Sequence, residues 1–173
     1  MKKTKKLKLT FQLDELSLVG YSDADFAGCK DDSKSTSGYI FLFGGGAIVW
    51  SCKQHGCTAQ HTQEAEYIAC NVATTFAVWI NRFLKDLKID LDQEPVQLYC
   101  DNQAAISLIK NGAVNSKSKH IMVKYHYVHE MLENKEICID YISTHDMVAD
   151  PLTNGIPEDV FTKHVAQMGL KYT

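Results

Sequence analysis

The sequence predicts a mixed α/β fold, a five-stranded sheet flanked by helices, and three features carry that prediction. Three strand-like runs follow one another between 18 and 52, the last two joined through Gly44-Gly45-Gly46. A stretch from 62 to 87 then repeats apolar side chains at helical spacing. Beyond it, apolar runs at 96–100 and 137–142 alternate with further helix-like segments.

The opening 7–18 alternates weakly and suits a strand or a tether. Residues 1–17 are read as a connection remnant, and 18–173 as one domain that includes a C-terminal helix. The first sheet strand, 18–26, carries Asp23 near its end. A polar turn at 31–37 leads into 38–43, glycine at 44–46 supplies the positive φ of a hairpin, and 47–52 returns. Thr62 reads as the N-cap of the long helix, with Glu64 in the first turn favouring its dipole. Ala65, Ile68, Ala69, Val72, Phe76, Trp79, Ile80 and Phe83 form its apolar repeat. Pro95 precedes the strand 96–100, which delivers Asp101 at its C-terminal end. A short helix at 104–109 closes at Asn111-Gly112, and one at 121–132 sets Ile121, Tyr125, Val128 and Leu132 on one face. The last strand is 137–142, followed by helices at 146–152 and 157–168. The order is βββαβααβαα.

Length and 45% hydrophobic content suit one domain with a substantial core. No apolar run approaches the roughly 18 residues of a membrane span, and the N-terminus lacks a secretory h-region. The expected setting is intracellular, with no membrane partner. A net charge of −3 excludes tight nucleic-acid binding by bulk charge. Lysines 2, 3, 5, 6 and 8 read as a solvated tail or severed linker, with a nuclear address or a phosphate-contacting arm as the alternative. The six cysteines show no C-x-x-C pair and read as reduced thiols. His120, His126, His129 and Cys138 lack the paired cysteines of a zinc module.

Four carboxylates stand out: Asp23 in Tyr21-Ser-Asp-Ala-Asp, Glu66 in Gln63-Glu-Ala-Glu-Tyr, Asp101 in Leu98-Tyr-Cys-Asp-Asn, and Asp150 in Met147-Val-Ala-Asp. Gathered in a fold they would repel one another unless something positive lay between them. Oxygen-rich sites of this kind suit Mg²⁺ or Mn²⁺, and a pair of such ions can clamp both oxygens of a phosphodiester exchange.

The surrounding words carry a resemblance. They are Gly20-Tyr-Ser-Asp-Ala-Asp-Phe-Ala-Gly28, Lys34-Ser-Thr-Ser-Gly-Tyr-Ile-Phe, Gly46-Ala-Ile-Val-Trp-Ser, Glu64-Ala-Glu-Tyr-Ile-Ala, Leu98-Tyr-Cys-Asp-Asn-Gln-Ala-Ala-Ile, Ser118-Lys-His-Ile and Ala149-Asp-Pro-Leu-Thr. In this order, the chain resembles the ribonuclease H domain of copia-type LTR retrotransposon Pol polyproteins. The resemblance implies a ribonuclease H-like fold and endonucleolytic removal of the RNA strand from an RNA–DNA hybrid during reverse transcription. It implies Asp23, Glu66, Asp101 and Asp150 as catalytic metal ligands, and two Mg²⁺ ions as cofactor, with Mn²⁺ able to substitute. It also implies reverse transcriptase as a partner within a parent polyprotein, in a cytoplasmic virus-like particle or the nucleus. No Tyr-x-Asp-Asp polymerase motif is present, so the chain reads as an excised piece. Three positions depart from the family's pattern: Met122 where an acid is common, Asn154 where lysine is common, and Gln60-His-Thr-Gln before the long helix.

Blander readings stand beside these. Asp23 and Asp25 fall on one strand side, and Asp25 suits a supporting or a solvated role. Glu64 and Glu66 lie about 200° apart on a helix, which assigns Glu66 to the site and Glu64 to the helix terminus. Asp101 alternatively caps the helix that follows it. His145 is a candidate proton shuttle or an exposed turn residue. Ser22 and Asn102 are candidate supports for the ligands or contacts to ribose. Lys117, Lys119 and His120 are candidate phosphate contacts. An integrase-like core is a competing enzyme reading, through Asp101 and Glu136, but Glu136 opens a strand rather than lying on a helix. A non-catalytic or domesticated nucleic-acid-binding or scaffold module of the same fold is the competing non-enzyme reading.

Overall fold

The computed structural model describes residues 6–12, 16–26, 34–54, 61–89, 91, 95–111 and 122–172, with backbone alone for 122–125. Its elements run β1 (Leu7–Leu9), β2 (Leu18–Asp25), β3 (Thr36–Phe43), β4 (Gly46–Gln54), α1 (Thr62–Asp86), β5 (Val96–Cys100), α2 (Gln103–Asn111), α3 (Met122–Glu133) and β6 (Ile137–Tyr141). A 3-10 turn at Thr144–Asp146, α4 (Asp150–Thr153), α5 (Glu158–Gln167) and β7 (Leu170–Tyr172) complete the chain.

The expected five-stranded mixed sheet is present in the order β4-β3-β2-β5-β6. Its first half is an antiparallel meander, because Gly44 and Gly45 take φ of 56° and 70° and make the tight turn that joins β3 to β4. Its second half is parallel, β2 with β5 and β5 with β6, because helices intervene between those strands. One consequence matters for function: β2 and β5 point the same way, so their C-terminal ends lie side by side.

α1 packs across the sheet through alanines four residues apart. Ala65, Ala69, Ala73 and Ala77 are all fully buried, and the absence of bulk lets the helix sit close. Tyr67, Cys70, Ile80 and Leu84 join Phe41, Leu98, Ile137 and Ile139 in the main core. Two members of the expected apolar repeat stay exposed. Trp79 and Phe83 are 56% and 47% exposed and stack on each other, ring centroids 5.4 Å apart. Trp79 lies about 100° around the helix from Ile80, and Phe83 about 100° from Leu84 and about 60° from Ile80. On α3, Val128 is buried and Leu132 partly so, while Ile121 and the Tyr125 side chain lie outside the described residues.

Three local expectations are corrected. Thr62 is the first helical residue rather than the cap; His61 holds the cap position, without a side-chain bond. The helix expected at 146–152 is broken into the 3-10 turn and α4. Proline lacks an N–H and clashes with a helix interior, so Pro151 stands at the start of α4 and fixes where that helix begins. The strand 137–142 is not the last: β7 follows α5 and pairs antiparallel with β1, Leu7 opposite Tyr172 and Leu9 opposite Leu170. Three residues are too few for a periodic signal. The four cysteines among the described residues, Cys52, Cys70, Cys100 and Cys138, are free thiols. No helix among the described residues is long and apolar enough to cross a membrane.

Gly169 makes the β1–β7 seam possible. Its φ is +85°, and a Cβ there would lie 2.8 Å from Gly45 O, Gly46 Cα and Thr10 O. Its carbonyl also accepts from both the Thr10 amide and the Thr10 hydroxyl at 2.8 Å. Gly169→Ala is expected to destabilise the fold by about 2 kcal/mol or more. Gly155→Ala, where nothing lies within 4 Å of the added carbon, should change stability far less. Denaturant midpoints of the two variants check this, and equal midpoints would show that the seam is dispensable.

Candidate active site

Strand register decides where the carboxylates meet. Ser22 of β2 is level with Cys100 of β5, so the next residue on each strand, Asp23 and Asp101, emerges at the same sheet edge. Side chains alternate along β2: Ser22 and Ala24 face α1, and Asp23 faces α4. The Ser22 hydroxyl lies 3.1 Å from Cys70 Sγ of α1, while Ala24 packs with Ala65 and Ala69. That all-alanine contact brings Glu66 down to the strand ends. α4 closes the other side with Asp150. Asp23, Glu66 and Asp150 are 4%, 4% and 8% exposed, and Asp101 is half-buried.

The four acids form one cluster. Glu66, Cys100 and Asp101 each bring a potential ligand atom within 4.8 Å of the others. Asn154 Nδ2 donates to Asp23 Oδ2 at 3.1 Å and to Asp150 Oδ1 at 2.7 Å, which ties the remaining two together. Every hydrogen bond that the described side chains bring to these carboxylates comes from a neutral group. Thr153 and Asn154 reach Asp23, Thr144 Oγ1 donates to Asp101 Oδ2 at 2.7 Å, and Cys100 Sγ stands 4.0 Å from Glu66 Oε2.

Burial without a cation leaves its mark on proton affinity. Desolvation pushes Asp23 up to about 6, aided by repulsion from Asp101 and Asp150 and opposed by the Thr153 and Ala24 hydrogen bonds. Desolvation pushes Glu66 up to about 10, with Cys100, Asp23 and Asp101 adding to it. Cys100 is raised by its contact with Cys70 and by burial, so it stays a neutral thiol. The donor set is therefore one of hard carboxylate oxygens, and it fits a hard divalent cation of the Mg²⁺ or Mn²⁺ type.

Solved structures similar to this architecture include ribonucleases H. That of the Halobacterium salinarum enzyme aligns with TM-score 0.54 at 20% identity, over 80% of this chain and 95% of that one. LC11-RNase H1, from compost, aligns with TM-score 0.56 at 17% identity, over 87% and 99%. At sequence level, the Pol polyprotein from transposon TNT 1-94 of Nicotiana tabacum is 44% identical over 144 residues, 83% of this chain. That from transposon RE1 of Arabidopsis thaliana is 37% identical over 155 residues, 90% of this chain. The chain is a homologue of retrovirus-related Pol polyproteins with the ribonuclease H fold. It spans about a tenth of those relatives, 11% and 10% of their length. No family model matches it.

Set on this ribonuclease H fold, the other candidate residues divide. Asn102 caps α2, its Oδ1 accepting from the Ala105 amide at 3.0 Å, so the cap falls to Asn102 and not to Asp101. Ser22 bonds Cys70 behind the site. His145 is exposed, on the 3-10 turn beside Thr144, and its Nδ1 accepts from Lys163 Nζ at 2.9 Å. Lys163 also reaches Asp146 at 2.5 Å, and with Ser143 it holds that carboxyl down at about 2. Asp25 is half-buried. Glu136 stands apart, paired with Arg82 at 3.3 Å. Lys117, Lys119 and His120 lie outside the described residues. Sequence reasoning missed Thr144, Thr153 and Asn154 as partners of the acids. Thr153 did stand inside a quoted motif, and Asn154 was visible only as a departure.

The raised carboxyls fix a pH dependence. A group whose pKa is higher folded than unfolded stabilises fully below its unfolded value, and that stability is lost as pH rises through the folded value. For Asp23 the loss runs from about pH 4 through about 6 and amounts to about 3 kcal/mol; for Glu66 it continues toward about 10. The Asp146 contribution is lost only as pH falls through about 2, outside this window. In chelator, the melting temperature should fall between pH 5 and pH 8, and less steeply in Glu66→Gln. A wild type and a Glu66→Gln variant with parallel profiles would contradict the assignment.

Proposed function

We propose that this chain is a ribonuclease H: an endonuclease that hydrolyses the RNA strand of RNA–DNA hybrids in retrotransposon reverse transcription, as part of a longer Pol polyprotein that includes reverse transcriptase. One observation carries the reading. Four carboxylates from four elements converge at one sheet edge with only neutral donors among their described partners, a charge that a cation is needed to offset. The Pol relatives, which are transposon polyproteins, support that setting, and the LC11 enzyme, similar in fold, was solved with an RNA/DNA hybrid.

Asp23, Glu66, Asp101 and Asp150 would hold two Mg²⁺ ions, or Mn²⁺ in their place. When bound, such ions lower the pKa of the attacking water and stabilise the departing 3′-oxygen. Glu66 must give up its proton to serve as a ligand, which a nearby divalent charge favours. Thr144 fixes the Asp101 carboxylate by a 2.7 Å bond, so that the acid on the open side of the cluster keeps one orientation. His145, exposed on the same turn with its Nδ1 bonded by Lys163, is assigned to proton shuttling or product release. Lys117, Lys119 and His120 are assigned to phosphate contact.

Cleavage of labelled hybrid tests this, with DNA duplex as the control substrate. Asp101→Asn and Glu66→Gln should each reduce the rate below about one-hundredth of wild type. Glu64→Gln should retain activity and lose at most about 1 kcal/mol of stability from the α1 terminus. Chelation should abolish cleavage, and Mg²⁺ or Mn²⁺ should restore it. Near wild-type cleavage by Asp101→Asn, or cleavage that survives chelation, would overturn the proposal.

A further inference from the structure

We propose that Thr153 and Asn154 are positioning residues, a neutral clamp that holds Asp23 and Asp150 in the geometry that receives a divalent cation; this rests on the metal-dependent reading above. The Thr153 hydroxyl donates to Asp23 Oδ2. Asn154 Nδ2 donates to that same oxygen at 3.1 Å and to Asp150 Oδ1 at 2.7 Å. Both residues thus act on one oxygen of Asp23, and Asn154 acts on one oxygen of Asp150. The second oxygen of each carboxylate receives nothing from this pair. A single amide nitrogen with two protons can serve two acids at once, and only the NH₂ end of the amide can face two carboxylates.

The clamp is built into the fold. In the sheet, the residue opposite Asp23 is Gly38. A Cβ at Gly38 would stand 2.7 Å from Thr153 Cγ2 and 3.1 Å from Leu152 Cβ. The missing side chain on β3 is therefore what allows α4 to lie against the strands and seat Thr153 over Asp23. The helix is fixed in turn. The Asn154 amide bonds the Asp150 carbonyl at 2.9 Å, and Met147, Val148 and Ala149 are buried against Ile40 and Ala47 just before it. Neutrality is the functional point. Hydroxyl and amide donors orient a carboxylate without cancelling its charge, so its attraction for a cation is retained.

Two measurements test the clamp. Calorimetric titration with Mn²⁺ alone compares wild type with Thr153→Val, Thr153→Ser and Asn154→Ala. Thr153→Val keeps the shape and deletes the hydroxyl; Thr153→Ser keeps the hydroxyl. Thr153→Val and Asn154→Ala should weaken Mn²⁺ binding about tenfold, and Thr153→Ser should stay within about twofold. In hybrid cleavage, the loss should fall mainly on the half-saturating metal concentration rather than on the saturated rate. Crystal structures of wild type and Thr153→Val in chelator read the positioning without metal: Asp23 should hold one rotamer in the first and leave it in the second. Unchanged Mn²⁺ affinity in Thr153→Val, or an Asp23 carboxylate that does not move, overturns the clamp. Failure of the wild type itself to bind Mn²⁺ and cleave hybrid overturns the functional reading instead, and the structures in chelator still decide the clamp.

Discussion

Burial and mutual repulsion of four clustered carboxylates, three buried and Asp101 half-buried, are the constraint around which this molecule is organised. Two unit charges about 5 Å apart repel by about 3 kcal/mol at an effective dielectric of about 20. That is a large fraction of the 5–15 kcal/mol by which a domain is typically stable. Without a cation, the fold meets the cost by holding protons: Asp23 and Glu66 both bind them more tightly than free carboxyls do. Under the proposed function, a divalent metal takes the place of those protons and offsets several repulsions at once.

The scaffold spends small residues to assemble this charge. Ala24 against Ala65 and Ala69 brings Glu66 to the strand ends, and Gly38 opens the space that α4 needs. A larger side chain at any of these positions would push one acid away from the others before it disturbed the main core. Around the acids, Thr144, Thr153 and Asn154 supply direction without charge, while the basic Lys163 is kept on Asp146 and His145. Orientation thus comes from the chain, and under the proposed function neutralisation comes from a cation.

How much of this was legible varies with the range of the interaction. The meander, the long helix and the strands at Val96–Cys100 and Ile137–Tyr141 announce themselves through periodicity and glycine, which act within a few residues. The β1–β7 seam did not, because two three-residue strands with more than 150 residues between them carry no local pattern. The exposed Trp79–Phe83 pair was misread for a related reason. Helical spacing identifies an apolar repeat, but which part of it meets the sheet depends on where α1 crosses.

The sequence by itself determined the chemistry available: four acids in distinct settings and no basic residue within four positions of any of them. It also determined the fold class, since binary pattern and turn residues are local properties. The tertiary structure decided the rest. Register between β2 and β5 put Asp23 beside Asp101, a glycine opposite Asp23 admitted Thr153, and a departure from pattern at 154 became a bridge between Asp23 and Asp150. The meetings of Asp23 with Asp101, of Gly38 with Thr153 and of Asp23 with Asn154 join residues more than 75 positions apart, and only the packing of one element on another fixes which side chains meet.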